Sequence, residues 1–222
     1  EKSEVEKKEV WQEKVTTSNA KRSLIPYLKS RGVAKIDQFV LTTSEPKQLD
    51  HVLEIGKVFE LGEVLVTEET LSQRDFFDKL KESNLNVRPL KTGESLFVFG
   101  SHLDVITTQD KDKNDSIAMY GKLLNQTFLV TGNIEEKFLN KSYPKIQTDV
   151  VLTHQQASKK KTDVEVFKTL QPKITVMSVD KKKRFKVVNQ EDKEVDNAIY
   201  KTDKKGAIRF KGWNSWKIET VR

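Results

Sequence analysis

GESLFVFGSHLDVITTQDKDKNDSIAMYGKLLNQTFLV, residues 93–130, is the stretch that decides the fold. Its apolar runs at 96–99, 103–107, 117–123 and 127–130 are short and close-set, and Asn125–Gln126 reads as a tight turn. That spacing predicts an antiparallel meander. Upstream the rhythm differs: apolar sets at helical spacing (Ala20, Leu24, Ile25 and Leu28; Val52, Leu53, Ile55, Val58 and Phe59; Phe76, Phe77, Leu80 and Leu85) alternate with short apolar runs at 36–41, 64–66 and 87–90. This is β-α-β-α-β order. Downstream, helices are expected over 135–139 and 163–170 and strands over 149–152 and 174–179. Strands at 198–201, 207–211 and 216–221 follow, with Lys204, Lys205 and Gly206 turning a closing hairpin. Helices alternating with strands around a meander imply two mixed sheets packed face to face with helices outside, an α/β fold of the αββα sandwich type.

At 222 residues the chain fits one medium domain over 11–222, and the charge-alternating residues 1–10 read as a lead-in without structure. No run approaches the ~18 apolar residues of a membrane-spanning helix, and no short apolar run follows a basic start. Neither a span nor an export signal is therefore expected. With no cysteine, disulfides, thiolate metal sites and cysteine nucleophiles are excluded. His51, His102 and His154 stand too far apart for a short histidine zinc motif. Nucleophile-elbow, Walker A and dinucleotide-binding patterns are missing, and the Ser-x-x-Lys spacing at Ser158 sits in a lysine run that makes any such spacing automatic.

Charge is uneven. Residues 140–222 carry 20 basic against 10 acidic side chains, leaving 20 against 23 for residues 1–139 out of 40 and 33 in all. The positive end is concentrated in Lys159, Lys160 and Lys161, in Lys181, Lys182, Lys183, Arg184 and Lys186, and in Lys204, Lys205, Arg209 and Lys211. Such segments point to a polyanion or an anionic membrane surface, or else form a solvated lysine-rich face. Phe210, Trp213 and Trp216 nearby are candidates for stacking on single-stranded bases or for packing a strand edge.

Five segments in order carry a resemblance to a known family: WQEKVTTSNAKRSLIPYLKSRGVAKIDQFVLT (11–42), NDSIAMYGKLLNQTFLVTGNIEEKFL (114–139), DVVLTHQQAS (149–158), LQPKITVMSV (170–179) and IYKTDKKGAIRF (199–210). Together they resemble the C-terminal metallo-β-lactamase-like domain of the ComEC family of competence proteins, the membrane channels through which transforming DNA is taken up. The resemblance implies a metallo-β-lactamase-like sandwich whose opening strands would lie upstream of Trp11, and nothing in residues 1–10 matches them. It also implies the remainder of a membrane channel as partner, DNA as a non-specific ligand, and a place on the outer face of the cytoplasmic membrane. No small-molecule substrate is expected, and the isolated chain is expected to be soluble.

The fold's hydrolases hold one or two metal ions with H-x-[HD]-x-D-H at a strand end, a later histidine and a bridging aspartate. Where the family pattern has that loop, this chain reads Thr43-Ser44-Glu45-Pro46-Lys47-Gln48. Glu45 keeps a carboxylate, but Lys47 puts a positive charge where a cation would sit. Asn133 stands at the aspartate of T-G-D-I-E, and Gln155 and Gln156 at the histidines of H-H-G-S. These positions imply a degenerate metal site with no catalytic residue, no metal and no cofactor, in which Lys47 pairs with Glu45 or Glu54. Two rivals remain at this point: a metal-dependent nuclease using Glu45, Asp50, His51 or His154 as replacement ligands, and a purely structural interaction domain.

Overall fold

The computed structural model describes residues 18–43, 46–81, 83–98, 100–107, 116–123, 125–132, 134, 146–154, 170–179, 198–212 and 216–221. Strand β2 (Glu60–Val66) runs between β1 (Lys35–Val40) and β3 (Val87–Pro89) in a sheet of order β1-β2-β3. Both pairings are parallel. A central parallel strand is covered on both faces, which is why Val64, Leu65 and Val66 are an unbroken apolar run and all buried. Helix α1 (Ile25–Ser30) continues a π-helical turn over Ala20–Leu24 and opens with Pro26 where a missing N–H costs nothing. Helix α2 (Pro46–Gly56) connects β1 to β2 and lays Leu49 and Val52 on Val64 and Val66. Phe76 and Leu80, one turn apart on α4 (Arg74–Lys81), complete that cluster. Thr67 caps the short α3 (Glu68–Ser72) by accepting the Thr70 N–H at 3.1 Å.

A second sheet has the order β10-β9-β8-β7-β6-β5-β4. Its strands are β4 (Ser95–Val98), β5 (Ser101–Thr107), β6 (Ile117–Leu123), β7 (Gln126–Val130), β8 (Val150–His154), β9 (Ile174–Ser178) and β10 (Ala198–Lys201). From β4 to β7 the pairing is the predicted antiparallel meander, and from β7 to β10 every pairing is parallel. Leu65 and Leu90 of the first sheet side meet Leu96, Val105 and Ile117 of the second, forming the inter-sheet core. On the outer face of the large sheet, Ile106, Ala118, Leu129 and Val151 are buried with Ile134 and Leu170. The αββα architecture read from the sequence is therefore present. Of the helices expected over 135–139 and 163–170 only Leu170 is described, and residues 1–10 also lie outside the described residues.

Several local expectations need correction. The smaller sheet is parallel throughout its described strands, not mixed. Helix α2 begins at Pro46, ahead of the apolar positions that signalled it, because proline is well placed in a first turn. The helix expected around Phe76–Leu85 ends at Lys81, and α3 precedes it. The closing hairpin is not made by β10 and the strand after it. Residues Thr202–Lys205 form a helical turn, α5, and β10 joins the large sheet beside β9. Gly206, at φ 76°, then releases β11 (Ala207–Lys211) to pair with β12 (Lys217–Val221). That hairpin is anchored by Phe210 and Trp216, whose rings lie 5.9 and 4.8 Å from the Phe128 ring.

Asp149 staples the starts of the parallel strands. It accepts from the Thr127 N–H at 2.9 Å, the Thr127 hydroxyl at 2.8 Å and Lys173 Nζ at 2.7 Å. Burial pushes its carboxyl up, but these hydrogen bonds, led by Lys173, outweigh it and hold the pKa below its ordinary value. A lowered pKa means stability that is present above the unfolded value and lost as pH falls through the folded one. Asp149→Asn is expected to destabilise by about 1–2 kcal/mol at neutral pH, a difference that closes below about pH 4 in denaturant titrations. Val151, at 0% exposure, is expected to tolerate no charge. Val151→Asp buries an unpaired carboxylate and should abolish cooperative thermal unfolding.

Candidate functional site

The site implied by the sequence lies where the two sheets meet at one rim. Beyond β1 the chain stays extended: the Leu41 N–H donates to the Leu65 carbonyl at 2.8 Å, and Thr43 forms an antiparallel bridge with Ser116 just ahead of β6. The Thr42 carbonyl accepts twice across the sheets, from the Ile117 N–H and the Ser116 hydroxyl, each at 3.0 Å. Beyond β7, Thr131 and Gly132 turn over the same strand start, with the Thr131 N–H on the Leu152 carbonyl at 3.0 Å. Gly132 sits at φ 54°, and a Cβ there would lie 2.4 Å from the Ile117 carbonyl oxygen and 3.2 Å from Ser116 Oγ. Only glycine fits. The loop after β1 and the turn after β7 are thus locked together on the beginning of β6.

Thr43 and the turn at Gly132 both adjoin Ser116 and Ile117 at the start of β6. Asn133, Glu45, Gln155 and Gln156 themselves lie outside the described residues, as do the side chains of Lys47 and His154. Gln48 is half-buried in the first turn of α2. The Thr43 hydroxyl is buried and has no hydrogen-bond partner, in a residue only 8% exposed. Two of the replacement ligands weighed for a nuclease lie in α2 itself. Asp50 is turned to α4, where Lys79 Nζ donates to it at 2.7 Å, and His51 is the next residue along. Glu54 accepts from the Ser18 hydroxyl, which holds its carboxyl below the usual range, and pairs with Lys21 at 3.3 Å; the pairing expected of Lys47 lies outside the described residues. Among the described residues no three imidazole or carboxylate side chains converge. A threonine hydroxyl left unpartnered and a half-buried amide are no donor set for a divalent ion, so the described part of the site does not fit a metal.

Sequence reasoning did not reach Ser116, which bridges to Thr43 and whose hydroxyl donates to the Thr42 carbonyl, or Thr131, whose N–H holds the turn after β7 on Leu152. A serine ahead of an apolar strand carries the same sequence signal as any turn residue, and only the cross-sheet register shows its partner.

The basic residues divide by what holds them. The parallel strands β7, β8, β9 and β10 all end on the rim just described, at Val130, His154, Ser178 and Lys201. Lys204 and Lys205 belong to α5, which the Val179 N–H ties to the end of β9 through Thr202 Oγ1 at 2.9 Å. Arg209 and Lys211 instead share Glu219, at 2.6 and 3.1 Å, and their hydrogen bonds, Lys211 first, lower its pKa. These two serve the β11–β12 hairpin. Phe210 and Trp216 pack against Phe128, while Trp213 lies outside the described residues. Lys159, Lys160, Lys161, Lys181, Lys182, Lys183, Arg184 and Lys186 also lie outside them. No helix among the described residues is long and apolar enough to cross a membrane.

A helix-flanked pair of sheets, one of them part parallel and part meander, with loops converging at their shared rim, is the metallo-β-lactamase-type architecture. A crystal structure of a protein described as a metal-dependent hydrolase, from Parabacteroides distasonis, superposes with a TM-score of 0.51 at 13% identity over 76% of each chain. The metallo-beta-lactamase fold protein YhfI from Bacillus subtilis gives 0.47 at 14% identity over 69% of this chain and 67% of that one. No protein-family model matches. In sequence the chain is similar to ComE operon protein 3 of Bacillus subtilis (strain 168), at 22% identity over 91% of its own length, which corresponds to 28% of that protein. The resemblance to the ComEC family is borne out.

Replacing Thr43, Gln48 and Gln155 by histidine while keeping Lys47 is expected to create no tight zinc site, since an ammonium group beside a dication is repulsive. Adding Lys47→Asp to the three histidines is expected to raise zinc affinity by at least tenfold in calorimetric titration. Equal affinity with and without Lys47 would contradict this account of the loop.

Proposed function

We propose that this chain is a catalytically degenerate, metal-free domain of a ComEC-type DNA-uptake channel. On the outer face of the cytoplasmic membrane it binds or guides DNA beside the pore, without reading sequence. What supports the degeneracy is the residue set at the ligand positions, Thr43, Glu45, Lys47, Gln48, Asn133, Gln155 and Gln156. What supports the channel is the similarity to a competence-operon protein of which the chain spans about a quarter.

The observation that carries the DNA reading is the direction of the strands. Neighbouring strands lie about 4.8 Å apart, so the ends of β8, β9 and β10 span roughly 10 Å of one rim. Lys159 follows His154 by five residues, a reach of at most about 18 Å, and Lys181 follows Ser178 by three, at most about 10 Å. Lys201, Lys204 and Lys205 stand at the end of β10. The strands that lead into the two longest basic segments of the sequence, β8 and β9, therefore end beside β10 and α5 on the edge where the loop after β1 and the turn after β7 meet, and the reading takes those segments to add their charge there. A cluster of that kind neutralises backbone phosphates and releases counterions, a mode that needs charge and no base contacts.

Binding to duplex DNA is expected to be weak and to fall steeply with salt, with roughly −0.9 in the slope of log affinity against log salt for each phosphate neutralised. Replacing Lys181, Lys182, Lys183 and Arg184 together by glutamine should make the slope shallower by up to about 3–4 and weaken binding to unrelated sequences alike. Fluorescence anisotropy with two unrelated oligonucleotides checks both. Absence of binding at low salt would favour the purely structural domain.

A further inference from the structure

We infer that the outward side of the first helical segment is a docking surface for anionic lipid headgroups, so that the domain rests on a membrane through α1. The π-helical turn over Ala20–Leu24 runs directly into α1, and Gly32, at φ 69°, ends the segment. Its inner side is accounted for: Ala20 and Ile25 are buried with Ile55 and Phe59, and Leu28 packs beside them. The outer side carries Leu24 and Tyr27, three residues apart and so neighbours on a helix surface, 38% and 45% exposed. Val58, also exposed, comes between Ile55 and Phe59 of the cluster that seats the segment. Three large apolar side chains are thus left in water around one packing cluster.

The charge around them has one sign. Residues 19–32 contain Lys21, Arg22, Lys29 and Arg31 and no carboxylate, although residues 1–139 as a whole carry more acidic than basic side chains. Lys57 stands beside Val58. Glu54, the carboxylate that reaches the segment from α2, is taken up by the Ser18 hydroxyl and Lys21. Arg22 donates to the Asn19 side chain at 2.9 Å, a neutral partner that leaves its charge in place. Lys29 and Arg31 have no side-chain partner among the described residues. Cations alone would suit any polyanion, DNA included. What selects a lipid surface is the apolar pair set among them: Leu24 and Tyr27 gain by leaving water, which the acyl boundary of a bilayer offers and the charged backbone of duplex DNA does not. Tyrosine suits that boundary, with an apolar ring for the lipid and a hydroxyl for the wet side. The cations then meet lipid phosphates.

This inference rests on the channel reading for bringing a membrane within reach, and on the described surface for the contact itself. The experiment is flotation of the whole chain with vesicles of phosphatidylcholine alone and of phosphatidylcholine mixed with phosphatidylglycerol. Binding is expected to the mixed vesicles only. Lys29→Gln with Arg31→Gln should weaken it about tenfold or more, and Leu24→Ser with Tyr27→Ser should weaken it comparably. All four positions are exposed, and an unchanged thermal midpoint shows that each variant is folded. Because the chain has no cysteine, a polarity-sensitive dye on Leu24→Cys gives a second readout. Its emission should move to the blue on mixed vesicles, while the same dye on Phe97→Cys, an exposed apolar position on β4 of the other sheet, should not respond. No change at Leu24, a change at Phe97 instead, or vesicle binding that survives both double variants overturns the inference. Vesicle binding that is lost only when Lys181, Lys182, Lys183 and Arg184 are replaced by glutamine also overturns it, and assigns membrane contact to the basic C-terminal part. Double variants that lose a duplex oligonucleotide but keep the vesicles overturn it in favour of DNA. Vesicle binding that persists while the oligonucleotide fails to bind upholds this surface and counts against the DNA reading alone.

Discussion

One carbonyl ties the two sheets together at the rim. The Thr42 oxygen, just beyond β1, accepts from both the Ile117 N–H and the Ser116 hydroxyl, and so fixes the end of the small sheet against the start of a central strand of the large one. Gly132 then has to be a glycine, because the turn after β7 presses onto that same strand start. With this junction in place, helix α2 has a defined origin and the ends of the parallel strands share an edge with it. The inter-sheet core of Leu65, Leu90, Leu96, Val105 and Ile117 fills in behind the junction.

The junction separates scaffold from chemistry. Its hydrogen bonds are made by backbone groups and by the Ser116 hydroxyl, and apolar clusters are buried on both sides of it. In a small metal-dependent domain the ion supplies folding free energy, and losing its ligands would unfold the chain. On the proposed reading, ligand positions can change to Thr43, Lys47 and Gln48 while the loop is still held by the Thr42–Ser116 and Thr42–Ile117 bonds.

Much of this was legible in the sequence. Period-two and period-3.6 patterns located the meander, β2 and α4, since each buries one face or both against an apolar layer. The closing hairpin was misread because the Lys204–Lys205–Gly206 signal fits a hairpin turn as well as the end of a short helix. Deciding between them takes the parallel pairing of β10 with β9, a contact distant in sequence. The convergence of Thr43 with the Gly132 turn was implied by the order of the family's segments. The unmet Thr43 hydroxyl, the Ser116 bond and the capture of Asp50 by Lys79 and of Glu54 by Lys21 depend on side-chain directions that no spacing rule gives. The division of basic residues into rim and hairpin likewise needed the register that sets Arg209 opposite Glu219.

The central claim is that a metallo-β-lactamase-type scaffold persists here with its metal chemistry gone. Elemental analysis of the protein, purified without chelator from cells grown with added zinc and manganese, tests it most directly. The account predicts well under a tenth of a metal ion per folded chain, and about one or two ions of zinc or manganese per chain would contradict it and return the site to a hydrolase.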